Sequence, residues 1–499
     1  MSTTTSLRKA GILLHPTSLP GPHGIGDMGP MAHRFVRWLA EAGARVWQVL
    51  PLVPPGAGHS PYATCASLAS NPLLISLDWL QEDGLLPDRL PTPPPFSPDR
   101  VDFEGAGAYK MPLLKLAAQA VPRHETLGPA LAQFRAGAPW IEDAALFLVL
   151  HRRFERAWWD WDPPLRDRQP QALSAAREDL RDELELEIAL QFLFDRQWTE
   201  LRQQANALGI SIMGDIPIYV DQDSVDTWVN RDLFLFDAEG LADPVAGVPP
   251  DYFSVTGQLW GNPIYDWTRM ADDRYTWWKG RLRRALHLFD LVRLDHFRAF
   301  AAFWAVPRGS EDARPGEWRP GPGADFFAEL ARELGELPLV AEDLGDVDED
   351  VHELRDRFGL PGMRILQFAF GGGPGHPFLP HNYPEHCVVY TGTHDNDTTL
   401  GWWRTAGSEI QDHARRYLAV AGHDIAWDLI RAALFSVART AIFPLQDLLS
   451  LSTDARMNVP GVAESNWAWR VRADAFNTSV SGRFFELVSL SGRAQSPEK

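Results

Sequence analysis

Three acids stand at the ends of three successive strand-like runs. Leu291-Val292-Arg293-Leu294-Asp295 ends on an aspartate and Leu339-Val340-Ala341-Glu342 on a glutamate. Val388-Val389-Tyr390-Thr391-Gly392-Thr393-His394-Asp395 ends on a second aspartate. In a parallel barrel, residues at the carboxyl ends of strands converge on one mouth. Two or three carboxylates around one cavity are what glycosidic bond cleavage requires. One attacks or stabilises the sugar, and another gives the leaving oxygen a proton.

Each acid has a plainer structural reading. Arg293 lies two residues before Asp295, so on a strand both side chains share a face. The guanidinium would keep Asp295 ionised and aimed, but an Arg–Asp pair at a strand end is also a common structural device, and alone this motif favours the structural reading. A general acid at Glu342 needs a raised pKa, from burial or from a neighbouring charge that Asp295 would supply. Asp343 competes for either role, and a carboxylate ahead of Gly345-Asp346 would also suit a helix N-terminus. His394-Asp395, within Thr393-His-Asp-Asn-Asp-Thr398, can bond adjacent sugar hydroxyls and stabilise positive charge at an anomeric carbon. Asn and Asp equally favour caps and turns. A fourth acid, Asp215, ends Ile212-Met-Gly-Asp215, where it would support Arg293 or the sugar. All three acids together, in order at strand ends, outweigh the separate structural readings.

Other chemistries lack their patterns. His376, His381 and His386 share one loop, and His15, His23 and His59 lie near the N-terminus. None sits in a His-Glu-x-x-His or Cys motif, so neither metal nor cofactor is expected. Gly371-Gly372-Gly373 leads into no Lys-Ser/Thr helix, and no Gly-x-Ser-x-Gly elbow is present. The net charge of −19 argues against nucleic acid, an anionic membrane or an anionic substrate, and favours a neutral partner. Two cysteines are too few for a disulfide framework and suggest a reducing cytoplasm. The apolar run after residue 10 is too short for a signal peptide, and no run approaches a membrane span. Tryptophan is abundant, at 20 of 499 residues. Most should pack in the core, with two or three left as platforms for sugar faces.

Positioning such acids requires a scaffold of parallel strands. Eight apolar or β-branched runs fit: 11–15, 45–50, 210–214, 291–295, 339–342, 364–368, 388–391 and 441–444. Continuous apolar runs suit strands buried on both faces. Helix-like stretches lie between them at 29–42, 185–208, 273–289, 324–334, 347–358, 408–421 and 425–437. This alternation predicts an α/β chain folded as one (β/α)8 TIM barrel over residues 1–499. Its spacing predicts a mostly helical insertion at 78–184 after the second strand. A long, loop-rich insertion is expected at 221–267 after the third. A link at 371–386 is too short for a good helix, the last 55 or so residues should end in a helix, and no C-terminal β-sandwich is expected.

Taken together the motifs resemble the 4-α-glucanotransferases of glycoside hydrolase family 77 (amylomaltases, or disproportionating enzymes), in the α-amylase clan. The similarity runs through Gly11-Ile-Leu-Leu-His-Pro-Thr-Ser-Leu-Pro20, Trp47-Gln-Val-Leu-Pro-Leu52, Ser60-Pro-Tyr62 with Asn71-Pro-Leu73, and Gly214-Asp-Ile-Pro-Ile-Tyr-Val220. It continues through Ala246-Gly-Val-Pro-Pro-Asp-Tyr-Phe-Ser254, Gly257-Gln-Leu-Trp-Gly-Asn-Pro263, Gln446-Asp447, Arg456-Met-Asn-Val-Pro460 and Asn466-Trp467. The resemblance implies Asp295 as nucleophile, Glu342 as acid/base and Asp395 as transition-state stabiliser. It implies supporting roles for Arg293 and His394. Tyr62, Tyr252, Phe253, Gln258, Trp260 and Asn466 would line donor and acceptor sites, and the 221–267 insertion would carry a loop over the substrate. The sequence departs from the pattern at His59, where an aspartate is expected, and at Ala57, where some relatives carry a tyrosine. The expected partners are neutral α-1,4-glucans and maltooligosaccharides, handled by a monomer or weak dimer. A retaining transferase is the reading; an α-1,4-glucan hydrolase with the same acids, or a silent glucan-binding barrel, are its rivals.

Overall fold

Short apolar runs fold here as strands because helices and barrel interior cover both of their faces. The computed structural model describes residues 8–237, 239–250, 254–345, 347–462 and 464–494. Its strands, in chain order, are β1 (Lys9–Leu13), β2 (Val46–Gln48), β3 (Ser211–Ile216), β4 (Val245–Val248), β5 (Gln258–Pro263), β6 (Leu291–Leu294), β7 (Ala302–Val306), β8 (Glu317–Pro320), β9 (Leu339–Ala341), β10 (Gly362–Ile365), β11 (Cys387–Tyr390) and β12 (Thr440–Pro444).

Eight of them form one sheet in the order β10-β11-β12-β1-β2-β3-β6-β9, with every neighbouring pair parallel. The two edges meet: the Ala341 N–H donates to the Pro361 carbonyl at 2.9 Å, and Met363 N–H reaches the Asp343 carboxylate at 2.6 Å. This is the (β/α)8 barrel the strand–helix alternation predicts. Strands β2, β9 and β11 are buried at every residue, the pattern expected when helices cover a parallel sheet. The outer layer includes Pro30–Glu41, Arg181–Ala207, Thr276–Leu288, Gly323–Leu334, Glu349–Arg357 and Ile425–Phe435. The last helix, Thr478–Leu490, packs against the first and against Ile425–Phe435.

Tryptophans staple these layers. Trp47 donates its indole N–H to the Leu14 carbonyl and Trp198 to that of Leu288, each at 2.8 Å, so both bury their rings without an unsatisfied donor. Between β2 and β3 the chain builds Phe103–Ala120, Leu127–Gly137 and Ile141–Phe154, which pack on Arg181–Ala207.

The segment between β3 and β6 differs from its sequence reading. Instead of loop alone, it holds β4 and β5, which join β7 and β8 in an antiparallel sheet of order β5-β4-β7-β8. The strands are short, and residues of β5 and β8 are largely exposed. Exposed strands carrying Gly or Pro, as β5 and β8 do, leave no apolar run to detect.

Candidate active site

The barrel strands stop just short of the acids. Asp295 follows β6, Glu342 follows β9, and Asp395 lies in the loop beyond β11. Backbone bonds carry the strand direction past the ends: Asp295 N–H donates to Ile216 O at 3.0 Å, and Glu342 N–H to Leu294 O at 3.1 Å. Both side chains are therefore delivered to one mouth by adjacent strands.

Register brings the fourth acid in. Asp215 on β3 stands opposite Arg293 on β6. Arg293 Nη1 donates to Asp215 Oδ2 at 2.7 Å, and Nη2 to Asp295 Oδ1 at 2.8 Å. The Tyr62 hydroxyl donates to the same Asp215 oxygen at 2.8 Å. Burial opposes the Arg293 charge, but the carboxylates of Asp215 and Asp295 outweigh it and hold the guanidinium well above its ordinary value. Burial, then the charge of Asp215, keeps the Tyr62 phenol protonated as a donor. Asp215 has no exposed side-chain surface, whereas Asp295 retains 29 %. Asp215 thus anchors the arginine, and Asp295 is the carboxylate offered to the cavity.

Glu342 lives in a different environment. Its two oxygens accept the backbone N–H groups of His296 at 2.7 Å and Leu344 at 3.0 Å. His296 presents its N–H from a left-handed backbone conformation, φ 49°, which a non-glycine residue adopts at a cost and often at functional sites. Burial pushes the Glu342 carboxyl up to about 8; Arg293 pulls against this and the charge of Asp295 adds to it. One carboxyl is ion-paired and the other is set to keep its proton near neutrality.

The neighbouring Asp343 points away. Its carboxylate accepts from Met363 N–H and from Arg355 Nη1 at 2.5 Å, with Arg364 at 3.5 Å, and its side chain has no exposed surface. It closes the β9–β10 seam, which removes it from competition with Glu342.

The third acid sits in a braced loop. Asp395 Oδ1 lies 3.3 Å from His394 Nε2 and accepts from Asn458 Nδ2 at 2.6 Å. Arg456 Nη2 donates to the Asp395 carbonyl at 2.6 Å and Nε to that of Asn458 at 2.7 Å. Asp447 holds the loop from below, accepting from Thr391 Oγ1, Thr399 N–H and Thr399 Oγ1 at 2.5 to 2.7 Å. Asn396 caps its own turn by accepting from Thr393, so the turn reading of this cluster holds alongside the functional one. Tyr62 stacks on His394, ring centroids 5.1 Å apart and 14° from parallel, and Trp467 leans on both rings.

Among the other expected sugar contacts, Trp260 is 38 % exposed. Its indole N–H meets Gln258 at 3.1 Å, and its ring stands edge-on to His296 at 4.8 Å. Gln258 and Trp260 thus reach the mouth beside the residue following Asp295. Tyr252 and Phe253 lie outside the described residues. Asn466, expected to line a sugar site, bonds within its own loop. Its amide accepts from Val459 N–H and donates to the carbonyls of Val462 and Val459, so its polar atoms hold the 459–466 loop together. His59 stacks on Phe103 at 4.4 Å.

Sequence reasoning passed over Arg456, Asn458 and Asp447 as working residues. They were legible only as pieces of motifs, because their partners lie 48 to 63 positions away in the chain. Among the described residues no helix is long and apolar enough to cross a membrane.

Known proteins are similar to this chain along its length. A family model described as 4-alpha-glucanotransferase matches residues 14–475. The chain is 48 % identical over 498 residues to a chloroplastic/amyloplastic 4-alpha-glucanotransferase of Arabidopsis thaliana, covering 98 % of this chain and 86 % of that protein. It is 48 % identical over 500 residues to a 4-alpha-glucanotransferase of Thermus thermophilus, covering 97 % and 99 %. In structure it is similar to an amylomaltase from Streptococcus agalactiae solved with acarbose, with a TM-score of 0.95, 35 % identity, and coverage of 98 % and 100 %.

Proposed function

This chain belongs to glycoside hydrolase family 77 and is a 4-alpha-glucanotransferase, and from that premise we propose that it works by retaining double displacement through a covalent intermediate on Asp295. An Asp295 carboxylate oxygen attacks the anomeric carbon of a bound α-1,4-glucan as Glu342 passes its proton to the departing glycosidic oxygen. The products are a glucosyl–Asp295 ester and a shortened glucan. Glu342, now ionised, takes the proton from the 4-hydroxyl of an acceptor glucan or glucose. That oxygen attacks the same carbon from the vacated face and releases Asp295, so anomeric configuration is retained.

The observation that carries this reading is the contrast between the two carboxyl groups. Asp295 is paired to Arg293 at 2.8 Å, whereas Glu342 is pushed up to about 8 by burial and its oxygens accept from the backbone N–H groups of His296 and Leu344. Asp395, with His394 and Asn458, faces the developing positive charge on the sugar. Tyr62, Gln258 and Trp260, with Tyr252 and Phe253, bind donor and acceptor rings. The covering segment 221–267 disfavours water as acceptor, consistent with excluded-water transfer chemistry.

We further read residues 1–499 as one catalytic barrel, with 78–184 and 221–267 as insertions on it. It acts on neutral maltooligosaccharides and starch-type glucans as a monomer or weak dimer. The described cysteines, Cys65 and Cys387, are unpaired, which supports a reducing cytoplasm.

Pure maltotriose tests the reading. Glucose appearing with maltopentaose and longer chains is the expected product pattern. Glucose and maltose alone would make water the acceptor and the protein a hydrolase. Asp295→Asn should form no ester and lose activity by about 10⁴-fold or more; substantial remaining transfer would reject Asp295 as nucleophile.

A further inference from the structure

Two successive backbone N–H groups converge on Glu342. That of His296 donates to Glu342 Oε2 at 2.7 Å, and that of Phe297 to the Glu342 carbonyl at 3.0 Å. A continuing strand points successive N–H groups to opposite sides. The left-handed backbone at His296, φ 49°, breaks that alternation and starts the turn Phe297–Phe300. Such a conformation costs a non-glycine residue free energy, so something must hold it.

The ring of the same residue is where a hold exists. The Trp260 indole meets the His296 imidazole edge to face, centroids 4.8 Å apart and planes 77° apart. The indole is itself tethered, its N–H donating to Gln258 Oε1 at 3.1 Å. Burial pushes the imidazole down to about 4, with Asp295 raising it and Arg298 lowering it. The ring is therefore neutral throughout the range in which Glu342 titrates. The charges bearing on Glu342 itself are those of Arg293 and Asp295.

We infer that the Trp260 indole pins the His296 ring, that the pinned ring keeps this residue in its left-handed turn, and that His296 is thereby a positioning residue acting through Glu342. Trp260 then serves two ends, as a sugar platform and as a support for the acid/base. The His296 N–H favours the ionised carboxylate and so tempers the rise that burial imposes on Glu342. The inference rests on the acid/base role proposed for Glu342.

The test is the pH profile of kcat/KM for maltotriose on the full chain, whose limbs report groups of the free enzyme. His296→Ala removes the ring, and Trp260→Ala removes its support. Each should move the basic limb to higher pH by about 0.5–1 unit, part of the worth of one bond to a charged group. The two shifts should not add in the double variant, because both act on one N–H. Trp260→Phe keeps an aromatic edge against the imidazole and should return the limb to its wild-type place, whatever it does to KM. A Trp260 that only binds sugar would raise KM in Trp260→Ala and leave the limb where it is, and that result overturns the inference. An unmoved limb in His296→Ala, or shifts that sum in the double variant, would overturn it equally. Failure of the acid/base reading itself would appear separately, as a basic limb that persists in Glu342→Gln.

Discussion

Arg293 reaches Asp295 across a single strand end, Nη2 to Oδ1 at 2.8 Å, while its other terminal nitrogen is fixed on Asp215 at 2.7 Å. The guanidinium fork therefore aims one carboxylate by gripping another. Lysine carries the charge but has no planar fork. Arg293→Lys should keep the fold and lower kcat/KM about 10–100-fold, the worth of one charge-assisted bond of roughly 1.5–3 kcal/mol. Steady-state kinetics on maltotriose beside an unchanged melting temperature would check it.

The raised Glu342 value makes a pH prediction with a definite sign. A general acid must be protonated, so kcat/KM should fall on a basic limb centred near about 8. Glu342→Gln should remove that limb and lower the rate about 10²–10⁴-fold. Stability follows the same group. Its folded pKa lies above the unfolded 4.5, so the native state holds the proton more tightly. Ionisation then destabilises the fold progressively as pH rises from about 4.5 through about 8. The melting temperature of Glu342→Gln relative to wild type should therefore rise between pH 5 and pH 9; a constant difference would contradict the assignment.

Asp343, one residue on, should behave in the opposite way. Its buried carboxylate answers Arg355, Arg364 and the Met363 N–H. Asp343→Asn leaves Arg355 to the exposed Asp356 carboxylate 2.7 Å away and weakens the buried bond from the Met363 N–H, at about 1–3 kcal/mol. Thermal unfolding should show that loss, while kcat measured well below the melting temperature stays near wild type.

Gly214 tests the barrel itself. A Cβ there would lie 2.1 Å from the Phe289 ring, directly before Asp215. Gly214→Ala should destabilise by about 1–3 kcal/mol through overpacking. By tilting β3 it should also weaken the Asp215–Arg293 grip, seen as a fall in kcat. Pairing it with Phe289→Leu should recover part of the stability.

The sequence by itself determined a good deal. Residue types at strand ends announced a carboxylate site, because parallel strands buried on both faces leave continuous apolar runs and their termini are chemically conspicuous. Arg293 and Asp295 share a face by strand period alone, and the structure joins them. Tertiary structure decided what distance along the chain hides. Glu342 and Asp343 are adjacent carboxylates, and only closure of the β9–β10 seam assigns one to the mouth and the other to Arg355. Asn458 and Arg456 brace Asp395 from more than 60 residues away, and the amide of Asn466 turns inward on its own loop. Strands β5 and β8 escaped detection because they are exposed and carry no apolar signature, while β4 and β7 are short apolar runs whose antiparallel pairing joins segments far apart in the chain. Local chemistry is written in residue type and period; which of two neighbouring groups faces the cavity is fixed only when distant segments pack.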